Sequence, residues 1–237
     1  MSTARIVGTG MVPFGRMVDR SERSMVEHVV QLALKDAGIA AADVQRVFAG
    51  NAAAGLVSGQ EMIRGQVALQ GTELAGVPLV NVENACASSS SAASLAVEAI
   101  LAGRCDVALV LGVEKMSHRD KGRALAALGG ATDVTGAAAT AGPATNSVFI
   151  DVYAEEGRHY LAEYGATVED FAAVAVKNRR HGSLNPLAQY QQPQSVAEVL
   201  GARTVVAPLT LPMCSPTTDG AAALVLAAAP YAKRLGR

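Results

Sequence analysis

The sequence is poor in aromatic residues, in charge and in cysteine, and each shortage closes off a class of function. Aromatic residues make up 4% of the 237 positions and tryptophan is absent, so the core has to be built from alanine, valine and leucine. Half of the residues are apolar, which suits one large domain or one domain carrying an insertion. Lys and Arg number 20 against 21 Asp and Glu, with no basic block, so neither nucleic acid nor an anionic membrane is expected as a partner. No apolar signal segment opens the sequence, and the longest apolar run, near residues 221–229, is too short to span a bilayer. A soluble cytoplasmic protein is expected.

Cys86, Cys105 and Cys214 are an odd number at wide spacing, without a C-x-x-C pair. That argues against a disulfide framework and fits free thiols in a reducing compartment. His28, His118, His159 and His181 are scattered without ligand spacing, so no metal site is expected. Gly8 and Gly10 lack the third glycine of a dinucleotide fingerprint, which removes a nicotinamide cofactor from consideration.

Alternation between short apolar runs and helical spacing organises what remains. Residues 4–9, 44–49, 79–82 and 107–111 read as strands. Between them, Val26, Val29, Val30, Ala33, Leu34 and Ala37 share one helical face, with Ser24 and Glu27 as a capping box before them and Gly38 after them. Residues 62–69 and 88–102 read as further helices. The β-α-β-α-β-α-β order predicts a layered α/β fold with a mixed, mainly parallel sheet. After Ser117 the style changes. Residues 118–147 are rich in Gly, Ala and Thr and predict an irregular excursion, followed by helices over 151–164, 167–178 (capped by Thr167) and 195–200, with a loop over 185–190. Apolar runs return at 209–216 and 221–228. The expected organisation is a core of residues 1–117 and 208–237 carrying an inserted loop subdomain over 118–207.

The stretch VENACASSSSAAS, residues 82–94, places Cys86 between a short strand and an alanine-rich helix that opens with four serines. Backbone N–H groups at a helix start are unpaired, and the helix dipole adds partial positive charge there. Both favour a thiolate, the nucleophilic form, and the same donors could receive the oxygen of a thioester formed on the sulfur. The plain alternative is a packing cysteine, since free cysteine is among the most buried residue types. Cys105, at a helix-to-strand joint, and Cys214, in a turn, are read as structural.

VPLVNVENACAS (77–88), followed by LGVEKMS (111–117), resembles the thiolase superfamily. KNRRHGSLNPLAQ (177–189) and CSPTTDGAAA (214–223) resemble most the sterol-carrier-protein-X type of thiolase. The resemblance runs in order from about Arg5 to about Ala228. It implies the N-terminal half of a thiolase-like layered fold plus its loop domain, with Cys86 as the acyl-accepting nucleophile. It also implies an acyl-CoA substrate, coenzyme A as co-substrate and no permanently bound cofactor or metal. In the implied reaction a 3-oxoacyl-CoA is cleaved by thiolysis, or formed by the reverse Claisen condensation, in lipid or sterol side-chain metabolism. Lys177, Arg179 and Arg180 become candidates for meeting the CoA phosphates, while a solvated helix end is their plain alternative. Glu114 and Met116 are expected to line the active-site neighbourhood without being catalytic.

Two departures from the family pattern stand out. Ser89 occupies a position, three after the cysteine, where the family has glycine. The histidine and second cysteine that serve the family as acid and base, carried by a second half of the fold, have no counterpart in these residues, and neither His181 nor Cys214 lies in the matching segment. The expected partner is therefore a second copy, or a chain or segment supplying that half. A retro-aldolase subunit acting on steroid side-chain CoA thioesters with a small partner, an inactive paralogue or dimerisation partner, and a ketosynthase are the competing readings.

Overall fold

A computed structural model describes residues 3–120, 122–135 and 147–237. They fall into two compact units, Met1–Ala124 with Thr218–Arg237, and Leu125–Thr217.

The first unit is built on a five-stranded sheet. Its strands are β1 (Ala4–Met11), β2 (Arg46–Gly50), β3 (Leu79–Val82), β4 (Val107–Glu114) and β7 (Gly220–Ala228), in the spatial order β1-β7-β4-β2-β3. β2 pairs in parallel with both β3 and β4, whereas β7 runs antiparallel between β4 and β1. Four strands thus point one way and one points back, the mainly parallel α/β arrangement expected. β1 and β4 each run longer than their apolar cores suggest, because pairing with β7 continues to Met11 and Glu114.

Strand alternation sends successive side chains to opposite faces, and a different helix covers each face. On one side Val47, Leu109, Leu111, Ala223 and Val225 meet α1 (Glu22–Ala37), which buries Met25, Val26, Val29, Val30 and Ala33. On the other, Phe48, Ala108, Val110 and Leu226 meet Ala92, Ala96 and Ile100 of α4 (Ser88–Leu101). Each large aliphatic side chain fully buried in this way contributes on the order of 1.5–3 kcal/mol. Two shorter helices, α2 (Ala54–Ser58) and α3 (Arg64–Leu69), join β2 to β3.

The cap of α1 corrects the sequence reading. Ser21, not Ser24, is the N-cap, and its side chain accepts from the Ser24 N–H at 3.2 Å. Ser24 lies within the first turn and donates its hydroxyl to the Ser21 carbonyl. The helix starts a turn early because Ser21 holds the extended backbone a cap requires. A second correction falls in the expected irregular stretch. Gly122–Gly129 form α5, where Ala and Leu are good helix formers and Asp120 Oδ1 accepts from the Gly122 N–H at 2.9 Å. Residues 136–146 of that stretch lie outside the described residues.

The second unit contains α6 (Val148–Tyr164), α7 (Val168–Ser183), α8 (Val196–Leu200) and a two-stranded ribbon of β5 (Thr204–Val206) and β6 (Leu209–Thr210). Ala172 and Ala175 of α7 pack on Val199 of α8, with Met213 beside them. Thr167 caps α7 as expected, with its N–H held by the Asp170 carboxylate at 2.8 Å. Ser195 and Glu198 form a reciprocal capping box on α8.

The chain leaves the first unit after β4 and returns at β7, and one ion pair closes that gap. Asp219 is 0% exposed and lies 2.9 Å from Lys115 Nζ. Its carboxylate also accepts from the N–H groups of Met17 (2.7 Å) and Ser117 (2.6 Å) and from the Ser117 hydroxyl. Lys115 donates in addition to the Met17 carbonyl and to Ser117. Burial pushes the Asp219 carboxyl up, but the bonds from Lys115, Ser117 and Met17 outweigh it and hold the group below the usual aspartate range.

Removing one partner of such a pair leaves an uncompensated buried charge, so Asp219→Asn is expected to cost roughly 3–5 kcal/mol at pH 7 in urea unfolding. A depressed native pKa gives stability that is complete above the unfolded value of about 4 and fades as pH falls through the native one. The gap between wild type and variant is therefore expected to shrink on acidification below about pH 4. A gap that stays constant down to acid unfolding contradicts the assignment.

Candidate active site

The carboxyl ends of β2, β3 and β4 share one edge of the sheet, the edge where open α/β sheets place their ligand sites. Three segments emerge there: 51–54 after β2, 83–87 after β3 and 115–117 after β4.

The turn after β3 carries Cys86, which is exposed. The chain reverses sharply just before it, and Ala85 has a positive φ of 43°. A left-handed backbone at alanine is strained and persists only where its surroundings over-determine it. Both polar backbone groups of Ala85 are engaged. Its N–H donates to Glu83 Oε1 at 2.6 Å, and its carbonyl accepts from the hydroxyl (2.7 Å) and N–H (3.2 Å) of Ser88. The Ser88 hydroxyl also accepts from the Asn84 N–H at 2.9 Å. α4 begins immediately afterwards, with Ala87 at its N-cap. Among the described residues, the N–H groups of Ser89 and Ser90 in its first turn have no hydrogen-bond partner. An exposed thiol beside a helix start with unpaired donors is an arrangement able to accept an acyl group and hold its oxygen.

The start of the helix reaches this position because two glycines leave the sheet bare beneath it. Gly50 of β2 and Gly112 of β4 are register partners. A Cβ on Gly50 would lie 2.8 Å from the Ser89 backbone nitrogen, and one on Gly112 would lie 2.3 Å from Ser89 Oγ. Ser89, the departure from the family glycine, thus directs its hydroxyl into the space Gly112 leaves, and α4 starts regularly.

The segment after β2 is braced from β4. Glu114 accepts from the N–H groups of Ala52 (2.5 Å), Ala53 (3.2 Å) and Ala54 (2.8 Å), while Asn51 Nδ2 donates to the Val113 carbonyl at 2.7 Å. Arg64 donates to the Asn51 side chain at 2.7 Å and to the carbonyls of Asn51 and Ala52. Burial pushes the Glu114 carboxyl up against the lowering effect of these N–H groups and of Arg64. Glu22 is also raised, by burial first and then by the charge of Glu114. Met116 is buried. The EKMS segment therefore serves as bracing: Glu114 ties down 52–54 and Lys115 and Ser117 grip Asp219. Sequence reasoning missed Asn51 and Arg64, which show no motif, and Ser88, whose role is hidden inside a run of four serines.

Cys105 is buried and Cys214 half-buried, with its thiol 3.6 Å from the Thr210 carbonyl, and burial pushes both thiols up. Lys177, Arg179 and Arg180 lie on α7, in the other unit from Cys86. Arg179 stacks over the Tyr190 ring at 3.5 Å, which occupies its guanidinium face and pins the loop after α7. Lys177 and Arg180 are exposed. Among the described residues no cluster of His, Cys, Asp or Glu could hold a metal ion.

Residues 4–207 match the family model for the thiolase N-terminal domain. An acetyl-CoA acetyltransferase of Methanocaldococcus jannaschii is 36% identical over 233 residues, 98% of this chain and 57% of that protein. A sterol carrier protein 2 of Gallus gallus is 31% identical over 97% of this chain and 42% of its own length. Among solved structures, an Ltp2-ChsH2(DUF35) aldolase superposes with a TM-score of 0.75 at 27% identity, covering 98% of this chain and 57% of that one. The chain spans less than two thirds of the length of each of these relatives. It belongs to the thiolase family.

The packing of α4 on the glycine pair makes a checkable asymmetry. Gly50→Ala meets backbone and is expected to cost about 1–3 kcal/mol or more, with no relief from Ser89→Gly. Gly112→Ala meets mainly the Ser89 side chain, so Ser89→Gly is expected to recover most of its cost. Equal coupling of both glycines to Ser89 in a double-mutant cycle would refute this account.

Proposed function

We propose that this thiolase-family chain carries the nucleophile of an acyl-CoA acyltransferase, and that Cys86 forms the acyl thioester. The exposed placement of Cys86 between strained Ala85 and the start of α4 supports this reading most directly. In thiolysis the Cys86 thiolate adds to the keto carbon, C3, of a 3-oxoacyl-CoA. The C2–C3 bond breaks, its electron pair goes to C2, and C2 takes up the proton the thiol surrendered, giving acetyl-CoA or propionyl-CoA. The thiol of a second CoA, deprotonated in turn, attacks the acyl carbon and Cys86 leaves as thiolate. Read backwards, the sequence is a Claisen condensation.

The residues of this chain supply the nucleophile and, at the α4 start, donors for the acyl oxygen. The group that carries the protons belongs, in this reading, to the second thiolase half, brought by a further segment, a second copy or a partner chain. Lys177 and Arg180 are assigned to the CoA phosphates, with Arg179 holding the neighbouring loop through Tyr190. Three free thiols suit a reducing, cytoplasmic setting.

The likeness to the Ltp2-ChsH2(DUF35) aldolase favours a second reading, retro-aldol cleavage of a 3-hydroxyacyl-CoA, on steroid side-chain thioesters, alongside a partner protein. There the hydroxyl loses its proton, C3 becomes a carbonyl, the C2–C3 bond breaks and C2 is protonated. No bond to Cys86 forms.

Cys86→Ala separates the two. Acyl transfer predicts one acyl group on Cys86 by intact mass after incubation with a 3-oxoacyl-CoA, and a fall of roughly 10³-fold or more in turnover for the variant. Full retention of 3-hydroxyacyl-CoA cleavage in Cys86→Ala hands the assignment to the aldolase reading. For the CoA contacts, Lys177→Ala and Arg180→Ala are each expected to weaken CoA binding about 2–5-fold, in line with exposed charges worth ~0.5–1 kcal/mol, with a smaller effect at high salt. An unchanged Kd at low salt removes both residues from the site.

A further inference from the structure

The run Ser88–Ser91 consists of four chemically identical side chains whose hydroxyls do different things. Ser88 is 4% exposed, and its hydroxyl is the one that reaches back across the turn. It accepts from the Asn84 N–H and donates to the Ala85 carbonyl, so it bridges the Glu83–Asn84 peptide before the turn and the Ala85–Cys86 peptide after the strained residue. Ser91 supports the same turn at one remove by accepting from Asn84 Nδ2 at 2.9 Å. Ser90 donates to the Ala87 carbonyl at 2.9 Å and is exposed, with no bond to residues 83–85. Ser89 faces Gly112.

A left-handed alanine costs of order 1–3 kcal/mol and relaxes unless bonds on both sides forbid it. The N–H of Ala85 is held by Glu83, an exposed side chain. Its carbonyl is held twice, by the Ser88 hydroxyl and the Ser88 N–H. The N–H bond, at 3.2 Å, is the longer of the two and belongs to any chain that turns into a helix here. The hydroxyl bond, at 2.7 Å and part-buried, is the one supplied by the choice of side chain. We infer that Ser88 is the positioning residue of the nucleophile: its buried hydroxyl clamps the Asn84–Ala85 turn and fixes where Cys86 presents its sulfur. It acts through the backbone and touches no reacting atom. Its bearing on acyl transfer rests on the reading of Cys86 given above, whereas its effect on the placement of the thiol does not.

Two probes of Cys86 test the inference on the full chain. One is carbamidomethylation by iodoacetamide at fixed pH. The other is acylation by acetoacetyl-CoA, followed by intact mass and resolved into a maximal rate and a half-saturating concentration. Ser88→Ala is expected to lower the maximal acylation rate about 10-fold or more, with half-saturation within about 2-fold, as befits lost orientation rather than lost binding. Alkylation is expected to fall at least about 3-fold, because the turn no longer holds the sulfur in its exposed position. Ser88→Thr, which keeps the hydroxyl, should recover most of both rates. Ser91→Ala should give a smaller loss, about 2–3-fold, and Ser94→Ala, whose hydroxyl bonds Glu98 further along α4, none.

The serine series separates positioning from helix propensity, since Ser→Ala favours a helix equally at each site. Matching thermal midpoints certify the fold of each variant. If Ser88→Ala does not fold, Ser91→Ala against Ser94→Ala carries the test. Rates within 2-fold of wild type in folded Ser88→Ala, or equal losses in Ser94→Ala, overturn the inference. A wild-type chain that acetoacetyl-CoA does not acylate defeats the proposed function, while the alkylation series still decides the role of Ser88.

Discussion

The buried pair of Lys115 and Asp219 is the constraint on which the first unit depends. The two residues are 104 positions apart in sequence, yet Nζ and Oδ2 lie 2.9 Å apart. Between them the chain runs through the whole second unit. What returns is β7, the strand that sits between β1 and β4 and buries both its faces. Asp219 stands immediately before that strand, and the groups it gathers come from the end of β4 and from Met17 after β1. One carboxylate therefore fastens the returning strand at its entry to both of its neighbours. Its buried oxygens are saturated by charge-assisted bonds, the condition under which a buried ion is tolerated.

That fastening has a consequence at the carboxyl edge of the sheet. β4 ends in Glu114, which braces 52–54, and the next residues are the ones gripping Asp219. β4 also carries Gly112, which with Gly50 forms the bare patch on which α4 begins. The start of α4 is thus set by two strands whose own ends are held, and the turn bearing Cys86 is fixed in relation to them. A strained residue at such a point is consistent with a site that must hold one geometry, since a relaxed turn would place the sulfur elsewhere.

Much of the arrangement was legible in the residues. The apolar periodicity of α1 and the short strands at 79–82 and 107–111 gave the sheet and its helices, because a face that must be buried writes its period into the chain. Where the reading slipped, residue type alone did not decide. Ser21 and Ser24 are equally good caps by composition, and backbone conformation chose between them. β1 and β4 were read short because their last residues are kept extended by β7, whose pairing no window around them contains. Residues 122–129 were read as irregular because a short helix is hidden inside a longer stretch rich in Gly, Ala and Thr.

The sequence by itself determined the chemistry on offer: a cysteine at a strand-to-helix joint, cysteines without disulfide spacing, no metal-ligand spacing, and the motif order of the thiolase family. These are properties of residue type and short-range spacing, which survive without coordinates. The tertiary structure alone decided what each motif does. The EKMS and TTDG segments looked alike as family landmarks, and they proved to be two halves of one buried polar cluster. Ser88, Ser90 and Ser91 looked interchangeable, and one of them, Ser88, holds the turn before Cys86. The reason is physical. A hydrogen bond between residues distant in the chain depends on where the backbone carries them, and that is fixed only when the sheet closes.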